Sequence, residues 1–438
     1  AKAETNAGTA ATITTNADFV ETIAPSFTIT PLQLERQPKT QVFTPAPMTV
    51  AGLGKGTNQP AAIVEFTFGV ELCGPGGTPS VASNLPEFDD LLLACGLERV
   101  DVHKLTTNAT SYDGTFFNRE AVDFISSGGS FSSATGESFG DNAYDDGDFL
   151  LTQESASGNP GAGDDTIIGQ RSGKTVTLDP TGTGQTASAI GVGYRPKTSK
   201  SDDTDTSPSS ACTIRLYLDR EGTYIQAKGC RGTFDIAFVH GDRAVINFTF
   251  QGVMDIYTEG GGTDVTDYNY TMEVPPAWIS TNLDIGLAGA AAVAANYSDA
   301  LFNALTFTLG NEMAVRENTN SRSGYKSAII TGRSSQLTFN PDMTIVSGSV
   351  VDFWNTFLAG SQARMRWTCG SSAGNKVEFR CPAAQFTGIT DGERDTVSIL
   401  DSTTMLTGGD YGSSLIADAG TQTSSTLGAD NEFQIIFR

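Results

Sequence analysis

Few residues in this chain could do covalent chemistry. Gly136-Glu137-Ser138-Phe139-Gly140 matches GxSxG, the elbow that presents a serine hydroxyl for attack on a carbonyl. Such a serine needs a histidine as general base and an acid to orient it. The chain has two histidines, His103 and His240, and His240 falls in a predicted turn. The flanks of Ser138, "SGGSFSSAT" and "DNAYDDGD", read as neither the strand nor the helix that an elbow requires. Asp145, Asp146 and Asp148 could offer oxygens to calcium, but the EF-hand spacing and a distal Glu are missing. They read as a solvated acidic turn. Gly52, Gly54 and Gly56 with Lys55 do not satisfy the phosphate-loop pattern. Asn108-Ala109-Thr110 is a glycosylation sequon in a chain whose amino terminus shows no secretory signal. No catalytic, cofactor-binding or metal-ligating residue is assigned, and the chain is read as a non-enzyme without cofactors.

Composition narrows the remaining classes. With 27 basic and 50 acidic residues the net charge is −23. Tight nucleic-acid binding needs Lys and Arg to neutralise phosphates, so the chain is not a simple nucleic-acid binder. Nucleic acid could still pass close by without adhering, because like charges repel. The six cysteines, at 73, 95, 212, 230, 369 and 381, contain no CxxC pair. They form neither a zinc framework nor a secreted disulfide scaffold. Cys230 and Cys381 read as small core residues. The longest apolar run, Ile285–Ala295, is too short to span a bilayer. Trp278, Trp354 and Trp367 are expected in a core or an interface.

The elements are β-rich. Over 213–257, Ile214, Leu216 and Leu218 alternate with polar neighbours, as do Phe234, Ile236 and Phe238, and Ile246, Phe248 and Phe250. Period 2 places one face of each strand in a core. The stretch reads as four short antiparallel strands, with turn residues legible at 219–222 and 241–243. A second copy lies downstream. At an offset of 151, Arg215 falls on Arg366, Cys230 on Cys381 and Gly241 on Gly392, with Asp242 and Arg243 on Glu393 and Arg394. A short helix, "FDDLLLACG" from Phe88, precedes the first meander, and "FWNTFLAGS" from Phe353 precedes the second. The order strand, helix, meander therefore occurs twice.

This organisation divides the chain. Residues 1–106 and 210–258 form a first unit, opening with a polar arm over 1–25 and strands over 26–37 and 61–72. Residues 107–209 are an inserted β-rich subdomain with 15 acidic and 6 basic residues. Residues 259–300 are a linker. Residues 301–438 form the second unit, whose first two strands, 301–315 and 327–340, are joined by a polar loop. "EFQIIFR" closes the chain as a strand.

The stretch "CTIRLYLDREGTYIQAKGCRGTFDIAFVHGDRAVINFTFQG" resembles the meander of major tail tube proteins of long-tailed bacteriophages. "FTFGVELCG" followed by "LPEFDDLLLACGLE" is similar to the strand and helix that precede it in that family. The resemblance covers about 60–106 and 210–257, extends more weakly over 301–405, and leaves the insertion unexplained. It implies β-sandwich or barrel-like units with a flanking helix, assembled in six-fold rings that stack into a hollow tube conducting DNA. A duplicated chain would close such a ring as a homotrimer. It would meet other tail proteins at the tube ends and reside in the virion tail after assembly in the host cytoplasm. The family's long hairpin, which packs on the neighbouring ring, would correspond to 38–60 and 314–327. Two other readings stand beside this one: a secreted or surface β-sandwich that binds carbohydrate, and an esterase built on Ser138.

Overall fold

Alternating apolar residues make the chain mainly β, with two short helices among the described residues, as the sequence leads one to expect. The computed structural model describes residues 1–13, 19–31, 62–77, 84–106, 149–152, 166–168, 186–196, 211–218, 222–258, 274–279, 283–287, 302–321, 324–341, 353–360, 362–370, 374–394, 397–406 and 432–437. The first elements are β1 (Lys2–Ala3), β2 (Ile23–Pro31), β3 (Ala62–Glu71), α1 (Asp89–Ala94) and β4 (Leu97–Thr106). Then come β5 (Phe149–Thr152), β6 (Thr166–Ile168), β7 (Thr186–Pro196), β8 (Cys212–Tyr217), β9 (Tyr224–Val239) and β10 (Val245–Thr258). β11 (Leu283–Leu287), β12 (Phe302–Thr308), β13 (Asn311–Glu317), β14 (Tyr325–Arg333) and β15 (Gln336–Pro341) follow. The chain closes with α2 (Phe353–Leu358), β16 (Gln362–Cys369), β17 (Val377–Arg394), β18 (Val397–Leu406) and β19 (Gln434–Phe437).

Strand pairing shows the internal repeat. One run of antiparallel neighbours is β2-β3-β10-β9-β8-β1. A second is β12-β15-β18-β17-β16-β11. Strands taken in chain order fill the same places in both runs, and each run has a helix between its third and fourth strands. Phe88, just before α1, and Phe353, which opens α2, are both fully buried. β11 lies in the stretch read as linker, yet it pairs with β16 as β1 pairs with β8.

Three details differ from the sequence reading. The meander at 213–257 has three strands rather than four, because β9 continues for 16 residues through a bulge at Gly229–Cys230. The two strands expected over 301–315 and 327–340 are four. Gly310, at φ +66, ends β12, and a Cβ there would stand 2.2 Å from the carbonyl oxygen of Ser334. Only glycine fits such a turn. Finally, the offset of 151 holds for β8 and β16, whose bulges fall at the matching positions Cys212/Ile214 and Ala363/Met365. It does not hold for the next strand. Tyr217 stands opposite Tyr224, whereas Thr368 stands opposite Glu378. The second hairpin is longer by three residues, so the offset there becomes 154. Cys230 therefore matches Ala384, Cys381 matches Ala227, and Gly392–Arg394 belong to strand β17 rather than to a turn like Gly241–Arg243.

The inserted stretch is rooted in the core. β7 pairs along β4 and then with β19, which lies against β17. Val192 and Tyr194 on β7 are buried, and the rings of Tyr194 and Phe88 both meet Phe437 edge-on at 5.7 Å.

The two copies fill one layer differently. Gly232 stands opposite Phe250 in the first, while Phe386 stands opposite Thr404 in the second. A Cβ on Gly232 would lie 2.5 Å from the Phe250 ring. Overpacking of this kind costs about 1–3 kcal/mol. Gly232→Ala should lower the denaturant midpoint accordingly, and adding Phe250→Leu should recover most of the loss; equal midpoints for Gly232→Ala and wild type would reject the packing account.

Candidate assembly surfaces

The described residues offer sheet edges, a hairpin with an exposed tip and a partly exposed helix face. β12 of the second unit pairs with the carboxyl-terminal half of β9, placing Thr308 opposite Asp235 and Ala304 opposite Val239. The edge of β9 is thus shared, first by β8 and then by β12. Between the two stretches the Leu309 N–H donates to the Phe234 carbonyl, and apolar side chains seal the junction. Phe307 is fully buried, with Phe234 of the first unit at 6.0 Å and Phe433 near the carboxyl terminus at 4.8 Å.

The hairpin β13–β14 covers the expected hairpin stretch 314–327. It lies over the first unit along β14, where Ser327 and Ala328 are buried and Lys326 and Ser327 stand close against Gly8 and Gly229. The Asn311 side-chain amide donates to the carbonyls of Cys95 at 2.7 Å and Gly232 at 2.9 Å, and the Asn311 backbone N–H donates to Thr233 Oγ1 at 3.1 Å. Opposite Asn311, at the same end of the hairpin, Arg333 donates two bonds to Glu432, at 2.8 and 3.0 Å. This two-point geometry fixes direction as well as distance. At the tip Thr319 and Asn320 are exposed.

The two helices are covered unequally. On α1, Asp89 is buried. It accepts a hydrogen bond from the Tyr194 hydroxyl at 2.6 Å and stands 3.4 Å from the Arg99 guanidinium. Burial pushes its carboxyl up to about 6, against the pull of Tyr194 and Arg99. Burial also raises the Tyr194 phenol, which stays protonated and remains the donor. These covering groups come from β4 and β7. On α2 the matching position is Trp354, which is 39% exposed, and Leu358 one turn later is 75% exposed. Residues four apart share a helix face, so α2 presents an apolar patch where α1 is sheathed.

A second apolar patch lies on β2. Among the described residues it pairs with β3 along one edge only, and Ile23, Phe27 and Ile29 are 44%, 37% and 39% exposed. The alternating "SFTIT" already encodes this strand, but nothing local says that its apolar residues stay outside.

The residues weighed for chemistry do not come together. Ser138, the GxSxG stretch, Asp145, Asp146, Asp148, the Gly52–Gly56 loop, Asn108 and the 38–60 hairpin lie outside the described residues. His103 is on β4, and His240 is exposed in the turn after β9. Among the described residues, no group of three or more His, Cys, Asp or Glu side chains could hold a metal. Trp278 is buried 5.5 Å from Phe238, and Trp367 is buried flat on Phe379 at 5.1 Å. All six cysteines are buried free thiols, and burial pushes Cys369 up to about 11. No helix of the described residues is long and apolar enough to cross a membrane. No protein-family model matches the chain, and no curated protein matches it.

Asn311→Ala should destabilise the fold by about 2–4 kcal/mol, since it strands two buried carbonyls; urea unfolding measures this, and a loss below about 0.5 kcal/mol would mean that the bonds do not hold the hairpin. Asp89 gives a pH signature. Its folded pKa lies above the ordinary 3.8, so between about 4 and 6 the folded chain keeps a proton that the unfolded chain has lost. Its contribution to stability therefore falls as pH rises through that window. Relative to Asp89→Asn, wild type should lose up to about 3 kcal/mol between pH 4 and pH 7; a pH-independent difference would reject the burial assignment.

Proposed function

We propose that the chain is a structural subunit of a long-tailed bacteriophage tail tube. Three copies, each supplying two units, close a ring, and the rings stack into a conduit for DNA. The observation that carries this reading is the repeated six-strand unit whose second copy joins the first through the edge of β9. A chain that already joins two units of one topology in a continuous sheet is suited to go on joining them around an axis. Exposed strand edges otherwise invite uncontrolled association, and closure removes them. The net charge of −23 suits a conduit along which DNA slides without adhering, since acids repel phosphates. The hairpin tip and the α2 patch are available for stacking contacts and for other tail proteins. On this reading the protein works in the virion tail and has no catalytic role.

Electron microscopy of the purified protein tests the proposal. Hollow filaments or three-subunit rings are expected. A protein that stays monomeric by light scattering up to millimolar concentration, with no rings in the images, would reject it.

A further inference from the structure

We infer that β2 of one molecule pairs, antiparallel, with the carboxyl-terminal half of β17 of the next, repeating between molecules the junction that β12 makes with β9 within one. The inference deepens the tube reading by naming the strands that join neighbouring subunits.

The argument starts from matched rungs. In the first unit Gly232, Phe250, Phe66 and Phe27 stand side by side across β9, β10, β3 and β2. In the second unit Phe386, Thr404, Leu337 and Phe307 do so across β17, β18, β15 and β12. The rungs are equivalent because Gly232 and Phe386 each lie two residues beyond the matched pair Cys230 and Ala384. Phe27 therefore occupies the place of Phe307, and Ile29 that of Leu309. The burial of these residues is opposite. Phe307 and Leu309 are fully buried, while Phe27 and Ile29 are 37% and 39% exposed. The same apolar positions are covered where the strand has a second neighbour and exposed where, among the described residues, it has none.

The acceptor is present at the other end of the molecule. β12 occupies β9 from Asp235 to Val239. The corresponding stretch of β17 begins at Ile389, or one residue later, because Thr387 is bulged out of register. There β17 pairs with β18 along one edge, and no strand of the described residues lies along the other. Thr390 and Glu393 are exposed in this stretch. Donor and acceptor are different surfaces of one molecule, so the contact is head-to-tail and propagates around a ring. Each contact satisfies backbone groups on two open edges and covers the apolar side chains of β2.

Disulfide trapping tests the pairing directly. All six native thiols are buried, so introduced cysteines report cleanly. Thr28→Cys is combined with Ile389→Cys, and separately with Thr390→Cys, to cover both registers. Oxidation of one of these full-length double variants should give covalent dimers and trimers on non-reducing gels, whereas the single variants should not polymerise. Phe27→Asp alters an exposed residue. It should leave the monomer folded by circular dichroism, yet lower the trapped fraction about tenfold or more, since a charge cannot be buried unpaired in a dry sheet junction. Tubes or rings without trapping in either register would overturn the strand pairing and leave the tube reading standing. Trapped rings that never stack would do the reverse. A monomer that traps in neither register overturns both.

Discussion

The edge of β9 is the constraint on which the rest of the structure depends. A 16-residue strand is too long for β8 alone to cover, and half of one edge would face water with its donors and acceptors unpaired. β12 takes that half. Because β12 is also the first long strand of the second unit, satisfying the edge of one unit fixes the position of the other. The aromatic layer of Phe234, Phe238, Phe307, Trp367 and Phe379 then closes over the join with ring contacts at 5.1–6.3 Å. Hydrogen-bond geometry sets the register, and burial of these rings adds apolar stabilisation across the join.

The same topology has been adapted differently in its two copies. In the first, the chain leaves after α1 as β4, returns as β7, and covers the outer face of the helix with Arg99 and Tyr194. In the second, no such excursion follows α2, and Trp354 and Leu358 stay bare. The copies also differ in how they fill their cores, with the large ring on β10 in one and on β17 in the other. The large ring moves between strands, and cores tolerate repacking that keeps apolar volume roughly in place. Such a chain is a repeat in topology and a hetero-pair in surface chemistry. Its two outer edges, β2 and β17, need not be interchangeable.

Much of this was legible in the residues. The alternation of Phe234, Ile236 and Phe238 marks a strand without any knowledge of its neighbours, and Phe88 and Phe353 mark two helices at corresponding places. The four-strand reading of the meander failed at Gly229–Cys230, because a bulge interrupts the alternation without ending the strand. The offset of 151 failed beyond the first hairpin because a gapless comparison cannot see three extra turn residues. The role of Asn311 was invisible, since its partners Cys95 and Gly232 lie far away along the chain. The exposed face of β2 is not legible in the sequence, because an exposed Phe27 and a buried Phe307 look alike as letters.

By itself, then, the order of amino acids determined which stretches become strands or helices, that this series occurs twice, and that the chain carries a strong negative charge. These are local or additive properties, set by side-chain periodicity, backbone preference and counting. Tertiary structure alone decided which edges meet, in what register, and which apolar residues remain outside. Those outcomes depend on competition among strands hundreds of residues apart for the same hydrogen-bonding edge, and no local pattern encodes the winner.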